Sequence, residues 1–477
     1  MSEGGVANSD ARRLLMQRVV GPARSVNSGV YSAVDPGLSV LMNGRGEYEY
    51  VGLDESYDGP ADQILRVSAF GETGPSEDEV AGRRYADQPG AQRHLVAGYY
   101  LGSFAGWASD GDLRANASSG GLTTWTLLEL LRRDLIDGVI HLVPTAESAL
   151  FQYRVSRTPE EILGGAKSRY YPGELSGALR EVRDVPGRYA VVGIPSFIYE
   201  VRLLQECDDV YRDRIRYTIG LICGHQKTAN YATALGWQAG FSPGQLRGID
   251  FRKKVAGLPA NTYSTEMSGV IDGREVSKVV SQKDLFGTDW GWGLLKSNFS
   301  DFTQDALNET ADIVFGDAWL PQYVQDSRGA NVVLTRDSEL HEILTQGAAR
   351  GDIHLDALPV TEVVRSQASL VRQSVHELPY RFAYLSSRGE YVPPLRRAPT
   401  QRLSAGRRRL QELRLQASIS SHSALEQAQH TGDVQVFIDR LAPVIAEYRR
   451  QQDRARIEAK LAEGPLSLVR SLVGRLR

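Results

Sequence analysis

Residues 187–225 read GRYAVVGIPSFIYEVRLLQECDDVYRDRIRYTIGLICGH, and this stretch decides the fold. Two short apolar runs, Tyr189–Ile194 and Tyr217–Ile222, have the length and β-branched content of buried strands. Between them, Phe197–Gln205 has the apolar spacing of a helix. Because alternation of strands and helices is typical of an α/β domain, we predict a sheet whose core strands are largely parallel.

The alternation continues on both sides of this stretch. On the N-terminal side, a predicted helix at Leu122–Arg133 precedes a buried strand at Gly138–Val143. On the C-terminal side, a helix at Thr228–Gln238 precedes a strand at Leu246–Arg252. We therefore predict three segments: a small N-terminal segment (residues 1–94), an α/β core with a largely parallel mixed sheet (residues 95–394) and a helical C-terminal extension (residues 395–477).

The C-terminal extension is basic. Residues 395–477 contain 16 Arg or Lys and 8 Asp or Glu, and Leu466–Leu476 spaces its leucines, valine and arginine as an amphipathic helix does. Two interpretations stay open. The extension is either a solvated helical appendage or a surface that contacts an acidic partner or a membrane.

Charge and hydropathy exclude several classes of protein. The 55 Lys and Arg against 58 Asp and Glu exclude a globally basic nucleic-acid-binding protein. No apolar run approaches the ~18 residues of a membrane-spanning helix, so no membrane span is expected. Residues 1–10 are polar and lack the pattern of a signal peptide, and we expect a cytoplasmic protein.

The cysteines and the motifs narrow the chemistry further. Cys207 and Cys223 are the two cysteines of the chain, too few for an iron–sulfur cluster or a four-cysteine zinc site. The sequence lacks a G-x-G-x-x-G after a strand, a P-loop, a G-x-S-x-G and an H-E-x-x-H. A standard Rossmann fingerprint, a P-loop NTPase, a simple hydrolase and a zinc enzyme are therefore not indicated, and no metal site is predicted.

Three loops contain candidate site residues. Ser118-Ser119-Gly120-Gly121 comes directly before a helix, where backbone N–H groups and hydroxyls can cradle a phosphate or a flavin edge, or can simply cap the helix. His225 and Lys227 follow a buried strand, where α/β domains place ligands. There Lys227 suits a phosphate and His225 suits a hydrogen bond or a proton transfer, although both are also ordinary in a solvated loop. Arg252 ends the next strand and adds a cation.

Four strings, in this order, resemble the coenzyme F420 hydrogenase/dehydrogenase beta-subunit family. They are Ala117-Ser-Ser-Gly-Gly121, Gly187-Arg-Tyr-Ala-Val-Val-Gly-Ile-Pro-Ser-Phe-Ile198, Gly220-Leu-Ile-Cys-Gly-His225 and Thr310-Ala-Asp-Ile-Val-Phe-Gly-Asp-Ala-Trp319. The likeness extends from about Gly21 to Arg365. Members of this family are flavoproteins with FAD and iron–sulfur clusters, and they move electrons between a deazaflavin or ferredoxin and a second substrate.

The sequence departs from the family at the positions of the cluster ligands. Where the family has cysteines, this chain has the following residues: Ser25, Ser28, Tyr31, Ser68, Ser196, Ser300 and Thr303. Of the expected thiols, Cys223 alone remains. Hydroxyl groups do not replace thiolates on iron, so we expect that both clusters are absent and that the N-terminal segment is a degenerate ferredoxin-like region.

The resemblance implies a set of cofactor-binding residues. On the family's pattern, Ser118, Ser119, Gly120, Gly121 and Thr123 hold FAD. Lys227 and Arg252 then compensate the negative charge of the cofactor, and His225 and Asp317 are candidates for proton transfer.

These expectations support three hypotheses. The first is a cluster-free FAD-dependent oxidoreductase that transfers a hydride between a reduced deazaflavin or nicotinamide-type donor and a small-molecule or glycan-related substrate. The second is a binding or scaffold subunit of a biosynthetic complex that has lost redox chemistry. The third is group transfer onto a sugar or lipid-linked glycan. A homo-oligomer and peripheral membrane contact through the basic C-terminus stay open, and no nucleic-acid partner is expected.

Overall fold

A computed structural model of the chain describes residues 3–145, 149–397 and 403–462. The predicted amphipathic stretch Leu466–Leu476 lies outside the described residues. Within those described ranges, no helix combines the length and the apolar character needed to cross a membrane.

The strands have the following bounds: β1 Ser39–Met42, β2 Tyr48–Val51, β3 Gln92–His94, β4 Gly98–Tyr100, β5 Gly102–Ala108, β6 Gly138–Pro144, β7 Phe151–Ser156, β8 Tyr189–Gly193, β9 Ile215–Leu221, β10 Leu246–Lys254, β11 Tyr263–Ile271, β12 Arg274–Ser281, β13 Ile313–Asp317, β14 Asn331–Thr335 and β15 Ile353–Ala357. The α-helices are α1 Glu3–Leu15, α2 Val30–Val34, α3 Ala61–Val67, α4 Glu77–Tyr85, α5 Gly111–Ala115, α6 Leu122–Arg132, α7 Pro159–Gly164, α8 Ser176–Asp184, α9 Pro195–Cys207, α10 Asp209–Arg214, α11 Ala229–Gln238, α12 Pro321–Val324, α13 Ser338–Arg350, α14 Val360–Ser366, α15 Ala368–Val371, α16 Leu378–Ser386, α17 Ala405–Thr431 and α18 Val434–Ala462.

The central feature is an eight-stranded mixed sheet with the order β15-β5-β14-β13-β9-β8-β6-β7. Its four middle strands, β13, β9, β8 and β6, are parallel, and the strands on either side are antiparallel. The predicted pair of strands in residues 187–225 is β8 and β9, joined by α9. The predicted α/β class with a parallel core is confirmed.

Alternating strand residues bury opposite faces of this sheet. Val139, Ala190 and Phe315 pack with α6 and α13 on one face. Ile140 and Val191 pack on the other face, where α8, α9 and much of residues 11–70 complete the core. Side chains on a strand alternate between faces, so this arrangement covers both sides of the parallel strands. The boundaries of the three predicted segments stay predictions.

A second layer, formed by β10–β12 and the two long C-terminal helices, adjoins the main sheet. Helix α17 buries Leu413, Ala417 and Leu425 in a core shared with Phe251 of β10 and Leu294. The interpretation of residues 395–477 as a solvated appendage is therefore wrong for α17, which is an integral part of the fold. The basic residues of this region that lie outside the described ranges are not placed by the structure.

Candidate functional site

A cavity of about 240 Å³ opens where β8, β9 and β13 end. This is the carboxyl edge of the parallel strands, at which α/β folds bind ligands. Eight of the nine residues predicted for the site line this cavity: Ser118, Ser119, Gly121, Thr123, His225, Lys227, Arg252 and Asp317. We call it the cofactor cavity. The structure thus brings these eight residues to one cavity, and their assignment as site residues stays a prediction.

The ninth residue, Gly120, lies in the tight turn that forms the wall of the cofactor cavity. A Cβ atom at this position would lie 2.5 Å from the carbonyl oxygen of Gly106 and 2.8 Å from Asn331 Oδ1. The next residue, Gly121, has a φ of +84° and caps α6 as the residue before it, and Asn331 Oδ1 accepts a hydrogen bond from Leu122 N. Only glycine fits at both positions, which lets the backbone approach a ligand closely.

Two hydrogen bonds hold this turn in place. Lys254 Nζ donates to the carbonyl oxygen of Ser119 at 2.8 Å. Ser118 Oγ accepts a hydrogen bond from the N–H of Ser168 at 2.8 Å, which joins the turn to the segment 165–169 on the opposite wall. Burial and the nearby cations lower the pKa of Lys254 to about 7. The turn is therefore fixed before any ligand binds.

Arg252 and Asp317, predicted for separate roles, form one ion pair. The two terminal guanidinium nitrogens of Arg252 donate to the Asp317 carboxylate, at 2.7 and 3.0 Å, and the Arg252 side chain is almost fully buried. Such a two-point pair is strong and directional. It neutralises the charge that Arg252 was expected to offer to a cofactor, and it occupies both oxygens of Asp317. This arrangement favours a structural role for the pair.

Lys227 is buried, and its ammonium already has a partner. Nζ donates to the carbonyl oxygen of Leu294 at 2.6 Å and lies over the rings of Tyr231 and Trp290. Burial, with Arg414 and Lys296 nearby, holds the pKa of Lys227 well below its ordinary value. The lysine therefore ties this wall of the cavity to the buried segment around Leu294, and its lowered pKa makes it a weaker cation than the sequence suggested.

His225 is buried between the cofactor cavity and α17. Its Nδ1 faces the guanidinium of Arg414 at 3.4 Å, and its Nε2 has no partner within the described residues. Burial, reinforced by the charges of Lys227 and Arg414, holds the pKa of His225 well below its ordinary value. Arg414 can only donate, so Nδ1 is the acceptor and the proton of the neutral ring lies on Nε2. His225 is therefore suited to donate a hydrogen bond to a ligand.

The sequence analysis missed Arg169, which also lines the cofactor cavity. No carboxylate lies within ion-pair distance of its guanidinium in the ranges that the structure covers. Its recorded contacts are a hydrogen bond to Ala166 O at 2.7 Å and the face of the Phe151 ring at 4.8 Å, and its Nε is buried without a partner. Burial lowers the pKa of Arg169 to about 10. Apart from the electrostatic influence of Asp250, this guanidinium has no anionic neighbour in the described residues, and it has the geometry to bind an anion.

The residues expected in place of the first set of cluster-ligating cysteines converge on one buried carboxyl group. Ser28 Oγ donates to Glu200 at 2.5 Å, and Tyr31 Oη donates to Ser68 Oγ at 2.7 Å. The N–H of Ala69 donates to the same carboxyl at 3.1 Å. Hydrogen bonds donated by hydroxyl and backbone N–H groups therefore hold these residues together.

The second set of positions also converges. Ser196, Cys223, Ser300 and Thr303 line a cavity of about 10 Å³ beside the cofactor cavity. This volume suits roughly one water molecule. Burial raises the pKa of the Cys223 thiol to about 11. An iron–sulfur cluster needs several thiolates, and neither group of side chains fits one.

The described residues contain no group of three or more histidine, cysteine, aspartate or glutamate side chains arranged to hold a metal ion.

Two family models and a solved structure are similar to this chain. Residues 103–180 match the family model for the N-terminal part of the coenzyme F420 hydrogenase/dehydrogenase beta subunit, and residues 187–360 match the model for its C-terminal part. A solved chain of the F420-reducing NiFe hydrogenase complex from Methanosarcina barkeri is similar at 18% identity and a TM-score of 0.45, covering 59% of this chain and 92% of its own. A search of curated protein sequences gives no match.

Proposed function

The chain belongs to the coenzyme F420 hydrogenase/dehydrogenase beta-subunit family, and from this we propose that it is an FAD-dependent oxidoreductase that transfers a hydride without iron–sulfur clusters. One observation supports this above all: eight predicted site residues line one cavity, whereas the positions predicted for cluster ligands carry hydroxyl groups at all but Cys223. The proposed donor is a reduced deazaflavin or nicotinamide-type molecule, and the proposed substrate is a small or glycan-related molecule.

The residues around the cofactor cavity fit a flavin. The turn at Gly120 and Gly121 presents backbone at close range, and Thr123 adds a hydroxyl. Arg169 offers an unpaired cation for a phosphate, and Tyr153 and Tyr170 supply aromatic walls. When bound, a flavin accepts or releases two electrons as a hydride, which requires no one-electron path.

The chain's own part in such a reaction is positioning, charge and the exclusion of water. His225 would donate a hydrogen bond from Nε2 to an electron-rich atom of the ring system. Its neutral state, which burial maintains, keeps the site free of a second buried cation beside Lys227. The Arg252–Asp317 pair holds β10 of the second layer against β13 of the main sheet, and so keeps the cavity walls together.

The first test is the composition of the purified protein. We expect a yellow protein with the absorption bands of a flavin, and no iron or acid-labile sulfide when it is prepared without oxygen. A colourless protein that does not take up added FAD would contradict the proposal and favour the alternative of a binding subunit. Stoichiometric iron and sulfide would contradict the absence of clusters.

A substitution at Gly120 tests the cofactor cavity. Gly120→Ala places a methyl group against the backbone of Gly106 and Asn331, so we expect a loss of about 1–3 kcal/mol in the free energy of unfolding and a sharp fall in bound flavin. Gly164→Ala, at the end of α7, is the matched control, because an added Cβ meets no atom within 4 Å there. Denaturant unfolding and flavin content are measured together. Flavin content unchanged in the Gly120 variant would contradict the assigned position.

A further inference from the structure

A second cavity, of about 580 Å³, lies beside the cofactor cavity. We call it the second chamber. It is enclosed by the β1–β2 hairpin, the preceding segment around Asn27, and α17. Its volume falls within the range of ~300–1,000 Å³ that is usual for small-molecule sites. Gly173 and Gln226 line both cavities, so a molecule in the second chamber lies next to a ligand of the first.

The second chamber is acidic. Its charged lining residues are Arg45, Glu47, Glu49, Lys296, Asp301, Glu390 and Glu426. Lys296 and Asp301 form a buried ion pair and neutralise each other. Among the remaining charged residues of the lining, Arg45 is the one cation and four are carboxylates. A ligand with several phosphates or carboxylates would be repelled by these like charges, of which Glu47 is half-buried and the other three are exposed.

The uncharged lining of the second chamber suits a hydroxyl-rich ligand. Asn27, Asn43 and Gln226 offer amide donors and acceptors, while Tyr48 and Phe299 offer flat apolar faces. Amides and carboxylates together match hydroxyl groups, each of which donates one hydrogen bond and accepts others. Apolar walls with a few directed polar groups are typical of sites that orient a small molecule.

His422, in the wall of the second chamber, has unused hydrogen-bonding capacity, and Glu47 is a second acceptor in the same wall. His422 Nε2 lies 3.2 Å from the carbonyl oxygen of Lys296 and donates to it, whereas His422 Nδ1 is a buried acceptor without a partner in the described chain. Glu47 accepts hydrogen bonds from Ser297 and Asn298, and burial raises its pKa above the ordinary value. A neutral ligand with hydroxyl groups satisfies such acceptors without adding charge.

We propose that the second chamber binds an uncharged, hydroxyl-rich molecule of the carbohydrate class and presents it to the cofactor cavity past Gln226. The role of this molecule as a substrate rests on the proposed flavin function, whereas its binding does not. The chamber does not accept a polyanionic redox partner. Such a partner therefore reaches the cofactor cavity by another route.

Saturation-transfer NMR on the full-length protein tests the chamber. The probes are the methyl glycosides of the common neutral hexoses and their short oligomers, with methyl glucuronide as the anionic counterpart. We expect binding of at least one neutral glycoside and at least about tenfold weaker binding of the glucuronide.

Two variants on opposite walls connect the binding to the second chamber. Glu47→Gln on the hairpin and Glu426→Gln on α17 each remove a charged hydrogen-bond acceptor. We expect each variant to bind the neutral glycoside about tenfold more weakly. Glu160→Gln, an exposed change in α7 outside the chamber, is the matched control and should bind as the unaltered protein does.

Three results would overturn this inference. They are no saturation transfer to any neutral glycoside, equal binding of the glucuronide, and unchanged binding in both chamber variants. Flavin content is measured on the same samples. A colourless protein that binds a glycoside contradicts the flavin proposal alone, and a yellow protein that binds none contradicts the second chamber alone.

Discussion

Replacement of Arg169 by methionine is expected to weaken flavin binding by about 10- to 100-fold. Arg169 lines the cofactor cavity, and no ion pair neutralises its guanidinium among the residues the structure covers. The charges of Lys227 and Arg252, in contrast, are reduced by burial or by an ion pair. Arg169 is therefore the cation best placed to meet a phosphate of the cofactor. Methionine keeps the apolar contact with Phe151 and removes the charge.

The measurement is a fluorescence titration of flavin-free protein with FAD and, separately, with riboflavin. Because riboflavin has no phosphate, Arg169→Met should weaken the binding of FAD far more than the binding of riboflavin. Arg180→Met, on the exposed side of α8, is the matched control and should leave both affinities unchanged. An unchanged FAD affinity in the Arg169 variant, or an equal loss for both flavins, would remove Arg169 from the phosphate site.

The sequence predicted those parts of the cofactor cavity that depend on neighbouring residues in the chain. A glycine pair before a helix and a polar loop after a buried strand are recognisable because backbone approach and strand ends constrain neighbouring residues directly. The turn at Gly120 and the loop at His225 are of this kind. The family resemblance then correctly grouped segments that lie far apart in the chain.

The remaining features depend on tertiary contacts that no local pattern reveals. Arg252 and Asp317 come from different sheets, and their pairing follows from how those sheets pack. Arg169 is one arginine in an irregular segment between α7 and α8, and what distinguishes it is that no carboxylate of the described residues lies within ion-pair distance, Asp250 being the nearest recorded influence. The burial of α17 was missed because a basic composition says little about which residues face a core.

Glu200 is another buried group that no local sequence pattern reveals. Replacement of its side chain is expected to have the largest effect on the free energy of unfolding. The carboxyl is fully buried on α9 and accepts hydrogen bonds from Ser28 and Ala69. Glu200→Ala leaves these donors without a partner and opens a cavity, so we expect the free energy of unfolding to fall by about 3 kcal/mol or more. Glu206→Ala, on the exposed side of the same helix, should change it by less than about 0.5 kcal/mol.

The same carboxyl makes stability depend on pH. Burial raises the pKa of Glu200 to about 7, from an ordinary value of 4.5. Between these values the unfolded chain releases the proton and the folded chain keeps it, so the unfolded state binds fewer protons. The contribution of Glu200 is therefore present below about pH 4.5 and is lost as the pH rises towards 7, a decrease of roughly 3 kcal/mol.

Glu200→Gln isolates this contribution, because the amide has nearly the same shape and does not titrate. Tyr31 and Tyr50, the other titratable groups that face Glu200, stay neutral through this window because burial raises the pKa of both. Urea unfolding at several pH values from about 4.5 to 8 should therefore show a smaller decrease in stability for the Gln variant than for the unaltered protein. Parallel curves for the two proteins would show that Glu200 is ionised in the folded state. In that case Ser28, Tyr31 and Ser68 would be organised around a buried negative charge instead of a neutral carboxyl group.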